Sequence, residues 1–294
     1  MAAPFLRWAG GKRQLLPILR AAFDSAPLSA ERRYFEPFLG GAAFFFSISD
    51  SSGMGYRPIV GAFLGDMNDD LVNCYEVVRD DVEGLIQILT ELATDTTEKQ
   101  YYNVRSSEPR EAIERAARLI YLNRLCFNGL YRLNRSGKFN VPYGKLNKPT
   151  VCDDVALRSC SLALQGVAVR TTDFSSLVTE AGDGDFVYLD PPYAPLPGSS
   201  SFASYHNSPF GPREHKRLAD EINALDLRGA NVVLSNSDTT FTREVFADLH
   251  QYSIVARRNI AAMPSSRLPV RELIGSNFEI DFSRFQNFEI QRVN

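Results

Sequence analysis

The chain has 294 residues, 44% of them hydrophobic, and a formal net charge of −3 at pH 7. That length suits one large domain or a main domain carrying a smaller one, and no run of about 20 apolar residues exists to cross a bilayer. The start, Met1-Ala2-Ala3-Pro4, lacks the basic and apolar regions of a secretory leader, so a cytoplasmic protein without membrane attachment is expected. Cys74, Cys126, Cys152 and Cys160 have no metal-ligand spacing, and His206, His215 and His250 are scattered. Most of the cysteines are expected to be buried free thiols, and no metal site is expected.

In chain order, Gly10-Gly11-Lys12 reads as a turn opening a helix through Ile18-Leu19-Arg20. Tyr34-Phe35-Glu36 reads as a short strand, and Gly40-Gly41-Ala42 as the turn into a second helix. Ile59 to Leu64 is a second strand ending at Asp66, and Leu71 to Leu92 has helical spacing with Leu85, Ile86 and Leu89 on one side. Arg110 to Leu122 predicts a helix with Ala112, Ile113, Ala116, Leu119 and Ile120 on its apolar face. Gly129, Asn134, Gly137, Asn140, Pro142, Gly144 and Pro149 then break the chain into turns and short extended pieces. Val167 to Val169 resumes the sheet, followed by Phe186 to Leu189 and Asn231 to Ser235; Val245 to His250 closes a helix. Tyr252 to Ala256 with Glu272 to Gly275 suggests a terminal hairpin. The pattern is α/β with a three-layer core, in which residues 73–162 form an inserted unit and residues 1–72 with 163–294 the main domain.

Two features carry chemistry. Directly after the apolar run Phe186-Val187-Tyr188-Leu189 come Asp190-Pro191-Pro192-Tyr193, at the strand end where open α/β sheets place their ligands. Two prolines remove two backbone donors and stiffen the turn. An acidic group, a free carbonyl and an aromatic ring there could clamp a planar ring bearing an exocyclic amine, such as a base taken out of its helix. The plain alternative is a proline turn with a surface aspartate. The second feature is charge: residues 99–148 hold eleven Lys and Arg against Glu108, Glu111 and Glu114, which leaves −11 for the rest of the chain. Interleaved Tyr101, Tyr102, Tyr121, Phe127, Tyr131, Phe139 and Tyr143 argue for nucleic-acid contact rather than a merely solvated face.

The ordered blocks Phe5-Leu6-Arg7-Trp8-Ala9-Gly10-Gly11-Lys12, Phe35-Glu36-Pro37-Phe38-Leu39-Gly40-Gly41-Ala42, Gly65-Asp66-Met67-Asn68, Thr172-Asp173-Phe174 and Asp190-Pro191-Pro192-Tyr193 resemble the Dam-type DNA adenine-N6 methyltransferases, which use S-adenosylmethionine. The resemblance runs from about Pro4 to Phe278 and includes Asn123 to Asn134 and Gly137 to Gly144. It implies a Rossmann-like methyltransferase sheet of seven mixed strands, with the insert as a small, mainly helical DNA-recognition domain. It also implies a cofactor set of Trp8, Lys12, Glu36, Pro37, Phe38, Gly40, Gly41, Asp66, Asp173, Phe174 and Asp190. Asp66 would take ribose hydroxyls, as its place at a strand end also suggests. Asp173 would take the cofactor's adenine amine, with Phe38 near the sulfonium. The glycine turn and the helix after it would offer N–H groups to the methionyl carboxylate. From the residues alone, Trp8 is as compatible with core and Lys12 with surface.

Asp190, Pro191, Pro192 and Tyr193 are the expected catalytic group, with double-stranded DNA as partner and a monomer as the working unit. The resemblance implies that Arg132 reads the first guanine of GATC, which an arginine fork suits. It places Asn128 in the space left by the flipped base, Leu130 and Pro142 on a thymine methyl, and Lys145 on a phosphate. Arg124 and Asn140 complete the DNA set. Leu146 departs from the aromatic residue of the best-known relatives, which loosens the expectation for the last base pair. Pro195 to Pro212, with Phe202, Ser204 and Tyr205, is expected to order with DNA, and Arg257, Arg258, Arg267 and Arg271 form a second basic cluster in which Met263 to Leu268 reaches the backbone. Cytosine-N4 methylation would use the same amine clamp, a glutamine-modifying methyltransferase would hold an amide this way, and a non-catalytic DNA-binding regulator would have lost the cofactor.

Overall fold

The computed structural model describes residues 2–27, 29, 31–49, 59–147, 149–196, 210–256, 270–283 and 288–294. Its helices are α1 (Leu16–Ser25), α2 (Ala43–Ile48), α3 (Asp69–Asp80), α4 (Val82–Leu92), α5 (Glu98–Ser106), α6 (Ala112–Leu125), α7 (Asp154–Leu164), α8 (Phe174–Leu177), α9 (Pro212–Leu227) and α10 (Thr240–Val245). Its strands are β1 (Arg33–Glu36), β2 (Gly61–Asp66), β3 (Ala168–Thr171), β4 (Phe186–Leu189), β5 (Asn231–Ser237), β6 (His250–Ala256), β7 (Val270–Ser276) and β8 (Ile290–Arg292). They form one mixed sheet in the order β3-β2-β1-β4-β5-β7-β6-β8. The sheet has eight strands where the resemblance implied seven. Strand β8, which pairs antiparallel to β6, was not read from the sequence because three residues give no usable periodicity.

β1 pairs in parallel with β2 on one side and β4 on the other, and β5 follows β4 in parallel. The strand order therefore reverses between β1 and β4, and the crevice at the carboxyl ends of such a pair is where open α/β sheets bind ligands. At the opposite end, Arg33 fixes this register. Its N–H and Nε donate to Asp185 Oδ1 at 3.0 and 3.1 Å, and its Nη2 to Oδ2 at 2.6 Å, with Asp185 only 2% exposed. All four residues of β4 are buried, as expected of a strand packed on both faces. Phe35, Phe174, Val187, Leu189, Leu218, Ile222, Val232 and Leu234 belong to one core cluster. Burial of each such side chain stabilises by ~1.5–3 kcal/mol, an upper estimate.

The chain divides into two compact units, one of residues 1–13, 40–53 and 66–171 and the other of residues 14–39, 54–65 and 172–294. The first is built on α3, which packs against α6 and α7, with α4 against α6. The helix read over Leu71 to Leu92 is two helices. Asp81, at φ −144°, ends α3 and accepts from Gly84 N with its side chain, so it starts α4 as an N-cap. The sequence pattern missed this break because the apolar spacing continues through it. The helix expected at Val245 to His250 lies earlier: Thr239 and Thr242 form a capping box that starts α10, and His250 already begins β6. The terminal hairpin is present as the β6–β7 antiparallel pair. The four cysteines are free thiols, three of them buried, as expected. Among the described residues no helix is long and apolar enough to cross a membrane.

Candidate active site and nucleic-acid interface

In the second unit β4 delivers Asp190 at its carboxyl end. The carboxylate is half-buried, and its Oδ1 accepts from Ser235 Oγ at 2.9 Å. Ser235 lies on β5 with no exposure, and Tyr188 OH sits 3.0 Å from the same oxygen. The serine has one proton and gives it to the carboxylate, so Tyr188 is the donor to the serine oxygen. Pro191 is buried and Pro192 exposed. Tyr193 donates its hydroxyl to Glu272 Oε2 at 2.9 Å. Burial, reinforced by the negative charges of Asp190 and Glu272, holds the Tyr193 phenol well above its ordinary range, so it remains a donor. At the end of β1, Glu36 is 3% exposed and accepts from Tyr34 OH at 2.9 Å; Pro37 beside it is buried.

Asp173 caps α8, its Oδ1 accepting from Ser175 N and Oγ at 3.0 and 2.7 Å. Arg217 closes on the same carboxylate with two bonds of 2.8 and 2.7 Å. That pairing holds the Asp173 carboxyl well below the usual range. The guanidinium also lies 3.9 Å from the centre of the Phe174 ring, and Phe174 stacks on Phe38 at 5.5 Å. The aspartate expected to meet a cofactor amine is thus also the partner of an arginine that the sequence reading did not single out. The signal visible in sequence was the Glu214–Arg217 spacing on α9, which says nothing of a residue 44 positions away.

In the first unit Asp66 accepts from Gly40 N at 3.2 Å and from Asn68 N at 3.0 Å. Burial raises its pKa, and these backbone bonds act against that shift. At the glycine turn one N–H is already engaged. Gly40 gives its N–H to Asp66, and α2 starts only at Ala43, after Ala42 in the left-handed region at φ +49°. Gly41 packs its backbone against Trp8, where an added Cβ would stand 3.5 Å from Trp8 Cβ. Trp8 is half-buried and stacks on Tyr131 at 5.1 Å, and Lys12 is 6% exposed with Nζ 2.5 Å from Gly10 O. Neither plain alternative holds in full: Trp8 is only part core, and Lys12 is not on the surface.

The segment 126–143 folds back on itself through two antiparallel bridges, Cys126 with Tyr143 and Leu133 with Phe139. Asn134 Oδ1 closes the tip by accepting from Ser136 N, Ser136 Oγ and Lys138 N, with Gly137 at φ +74°. The returning arm is tied down at Val141 O, which accepts from Tyr101 OH at 2.8 Å and Arg105 Nη1 at 3.1 Å. Arg132 is exposed; its Nε donates to Asn140 Oδ1 at 2.7 Å and its Nη2 to Asn140 O at 3.4 Å. Asn128 sits exposed in the left-handed region at φ +56°, Leu130 is 37% exposed, Pro142 is exposed, Lys145 is exposed at φ +52°, and Leu146 is half-buried. Phe127 and Leu133 add further apolar surface to this hairpin. Arg110, Arg132, Arg135 and Lys145 are exposed and make no ion pair among the described residues, whereas Arg115 pairs with Asp69 and Asp70 and Lys138 with Glu108.

Arg124 stands apart from the other expected DNA residues. It is half-buried, its Nη2 donates to Phe5 O at 2.9 Å, its Nε is buried without a partner, and desolvation lowers its pKa. The same helix carries a residue the sequence reading passed over. Asn123, 1% exposed, accepts from Arg7 N at 2.8 Å and donates to Arg7 O at 2.7 Å and Gly129 O at 3.2 Å. The expected DNA-ordered segment Pro195 to Pro212 falls mostly outside the described residues, as do Arg257, Arg258 and the stretch Met263 to Leu268 with Arg267. Arg271 is described, and it pairs with Glu289 at 2.5 Å.

The family model of D12 class N6 adenine-specific DNA methyltransferases matches residues 8–260. A type II methyltransferase of Lactococcus lactis subsp. cremoris is 38% identical over 283 residues, covering 94% of this chain and 95% of the relative. A DNA adenine methylase of Haemophilus influenzae is 32% identical over 277 residues, covering 92% of each. A DNA adenine methylase of Escherichia coli is 31% identical over 274 residues, covering 92% of this chain and 93% of the relative.

Proposed function

Because the chain belongs to the D12 class N6 adenine-specific DNA methyltransferases, we propose that it methylates N6 of an adenine flipped out of duplex DNA, using S-adenosylmethionine, within GATC or a related short site. The observation that carries this reading is the turn after β4, where a serine-anchored Asp190 is followed by two prolines and Tyr193. The lone pair of an aromatic amine is delocalised into its ring and is a poor nucleophile. Asp190 and the Pro191 carbonyl accept from the NH2 and hold it so that the lone pair turns out of the ring plane. The carboxylate also stabilises the positive charge that develops on nitrogen. Tyr193 lies beside the base and offsets part of the unstacking energy.

When bound, S-adenosylmethionine would supply an activated methyl group to the amine nitrogen, its sulfur keeping the bonding pair and one amine proton being released. The donor sets of this chain fit such a ligand. Asp66, oriented by the Gly40 and Asn68 backbone, suits a ribose diol. Asp173, kept ionised by Arg217, suits an adenine amine, with Phe38 and Phe174 offering apolar ring faces. For DNA, Arg132 on the exposed hairpin reads a guanine edge, with Asn140 bracing its Nε. Asn128, Leu130 and Pro142 are the neighbouring base contacts, Lys145 serves the backbone, and Leu146 is the position that sets how strictly the last base pair is read.

The deciding experiment is to map methylated positions in unmethylated duplex DNA after incubation with the protein and S-adenosylmethionine. N6-methyladenine confined to GATC supports the full reading. The same base at another motif moves the specificity to Arg132 and Leu146 while keeping the chemistry. N4-methylcytosine, or no methylated base, overturns it.

A further inference from the structure

We propose that Ser235 and Asn236, consecutive on β5, are positioning residues that fix the two ends of the Asp190–Ala194 turn, and that His215 sets the orientation of Asn236. This rests on the reading that the turn is the amine clamp. Neighbouring residues of a strand point to opposite faces, so β5 can grip the turn from both sides. Ser235 Oγ donates to Asp190 Oδ1 at 2.9 Å at the entry of the turn. Asn236 Oδ1 accepts from Ala194 N at 3.0 Å at its exit and from Ser237 N at 2.8 Å. Both side chains have no solvent exposure.

The amide of Asn236 could in principle be turned over, which would aim two donors at the Ala194 N–H and break the exit anchor. His215 prevents this. Its Nδ1 lies 3.0 Å from Gly211 O, and a carbonyl can only accept, so Nδ1 carries the proton. The Nε2 of that tautomer is then the acceptor for Asn236 Nδ2 at 3.3 Å. The imidazole is itself buried among the rings of Phe210, Phe241 and Phe246. A chain from Gly211 O through His215 and Asn236 to Ala194 N thus dictates one orientation at every link. On the entry side Tyr188 OH, donating to Ser235 Oγ, does the same for the serine proton.

The test compares kcat, KM for DNA, S-adenosylmethionine affinity and melting temperature across Ser235→Ala, Asn236→Leu, His215→Gln, His215→Phe and Asp190→Ala. Glutamine can place its amide oxygen near the histidine Nε2 position, whereas phenylalanine keeps the ring and removes both polar links. Misplacement of reacting groups by about 1 Å costs about 100-fold in rate. We therefore expect kcat to fall about 10- to 100-fold in Ser235→Ala, Asn236→Leu and His215→Phe, with cofactor affinity within about threefold of wild type. His215→Gln should recover most of kcat even if its melting temperature falls as far as that of His215→Phe. Rates that simply follow melting temperature, or an Asn236→Leu enzyme with unchanged kcat, overturn the proposal. Near-normal turnover in Asp190→Ala overturns the clamp reading itself, so the two failures are told apart.

Discussion

The turn after β4 and the hairpin at 126–143 are both short segments with proline or glycine at the bends, yet they are held in opposite ways. The turn leaves a fully buried strand and is gripped by side chains of β5 at both ends. The hairpin has two isolated bridges, is tied at its base through Gly129 O and Val141 O, and offers Phe127, Leu130, Arg132 and Leu133 to solvent. The difference suits the tasks proposed for them. Chemistry on an amine needs fixed acceptors before substrate arrives, while reading a base sequence needs unsatisfied donors and apolar edges that find their partners on the DNA.

The largest expected effect tests the rigid side of this comparison. Asp190→Ala should lower kcat by on the order of 10²–10³-fold or more while cofactor affinity stays measurable, as steady-state rates and calorimetry would establish. If both fall together, the turn is a binding element and not a preorganised clamp. On the hairpin, Arg132→Ala should cost ~1–3 kcal/mol at one guanine position and relax the choice of base there, without the same loss of kcat on a saturating cognate site. A methylation map across sites varied at each position reads both quantities. Lys145→Ala is smaller still: binding should weaken evenly over all sequences, and the slope of log affinity against log salt should shrink by about one.

The smallest effect concerns Asp173. Its folded pKa is depressed by Arg217, so the stability it contributes is present above the unfolded carboxylate value of about 3.9 and is lost as pH falls through the depressed folded value. With the pair 40% and 36% exposed, screening limits this to under about 1 kcal/mol. Urea melts of wild type and Arg217→Ala should therefore differ slightly at neutral pH and converge in strong acid. A larger gap would mean that Arg217 supports the Phe174 packing more than the charge.

Much of this architecture was legible because its signals are local. An apolar run ending in an acidic residue marks β4 and β2, and a charge excess with interleaved aromatics marks the basic segment. The long-range bonds were not. Ser235 reads as the last residue of a strand and Asn236 as the residue beyond it, and nothing in their spacing says that they hold a turn 45 and 42 residues away. Asp81 hid in a continuous apolar pattern because it stops one helix and starts the next. The bond of the Gly40 N–H was hidden for a similar reason, since its acceptor, Asp66, is 26 residues further on.

Asn123 has a consequence of its own. One amide binds Arg7 N, Arg7 O and Gly129 O, so the backbone next to Trp8 and the base of the hairpin move as a single piece, and the stack of Trp8 on Tyr131 braces it. A ligand that favours one setting of the hairpin then favours one setting of Trp8. On the proposed reading, in which the hairpin meets DNA and Trp8 the cofactor, linkage requires the reverse to hold with the same factor: whatever DNA does to the affinity for cofactor, cofactor must do to the affinity for DNA. Loosening that amide should make the two bindings independent before it abolishes either.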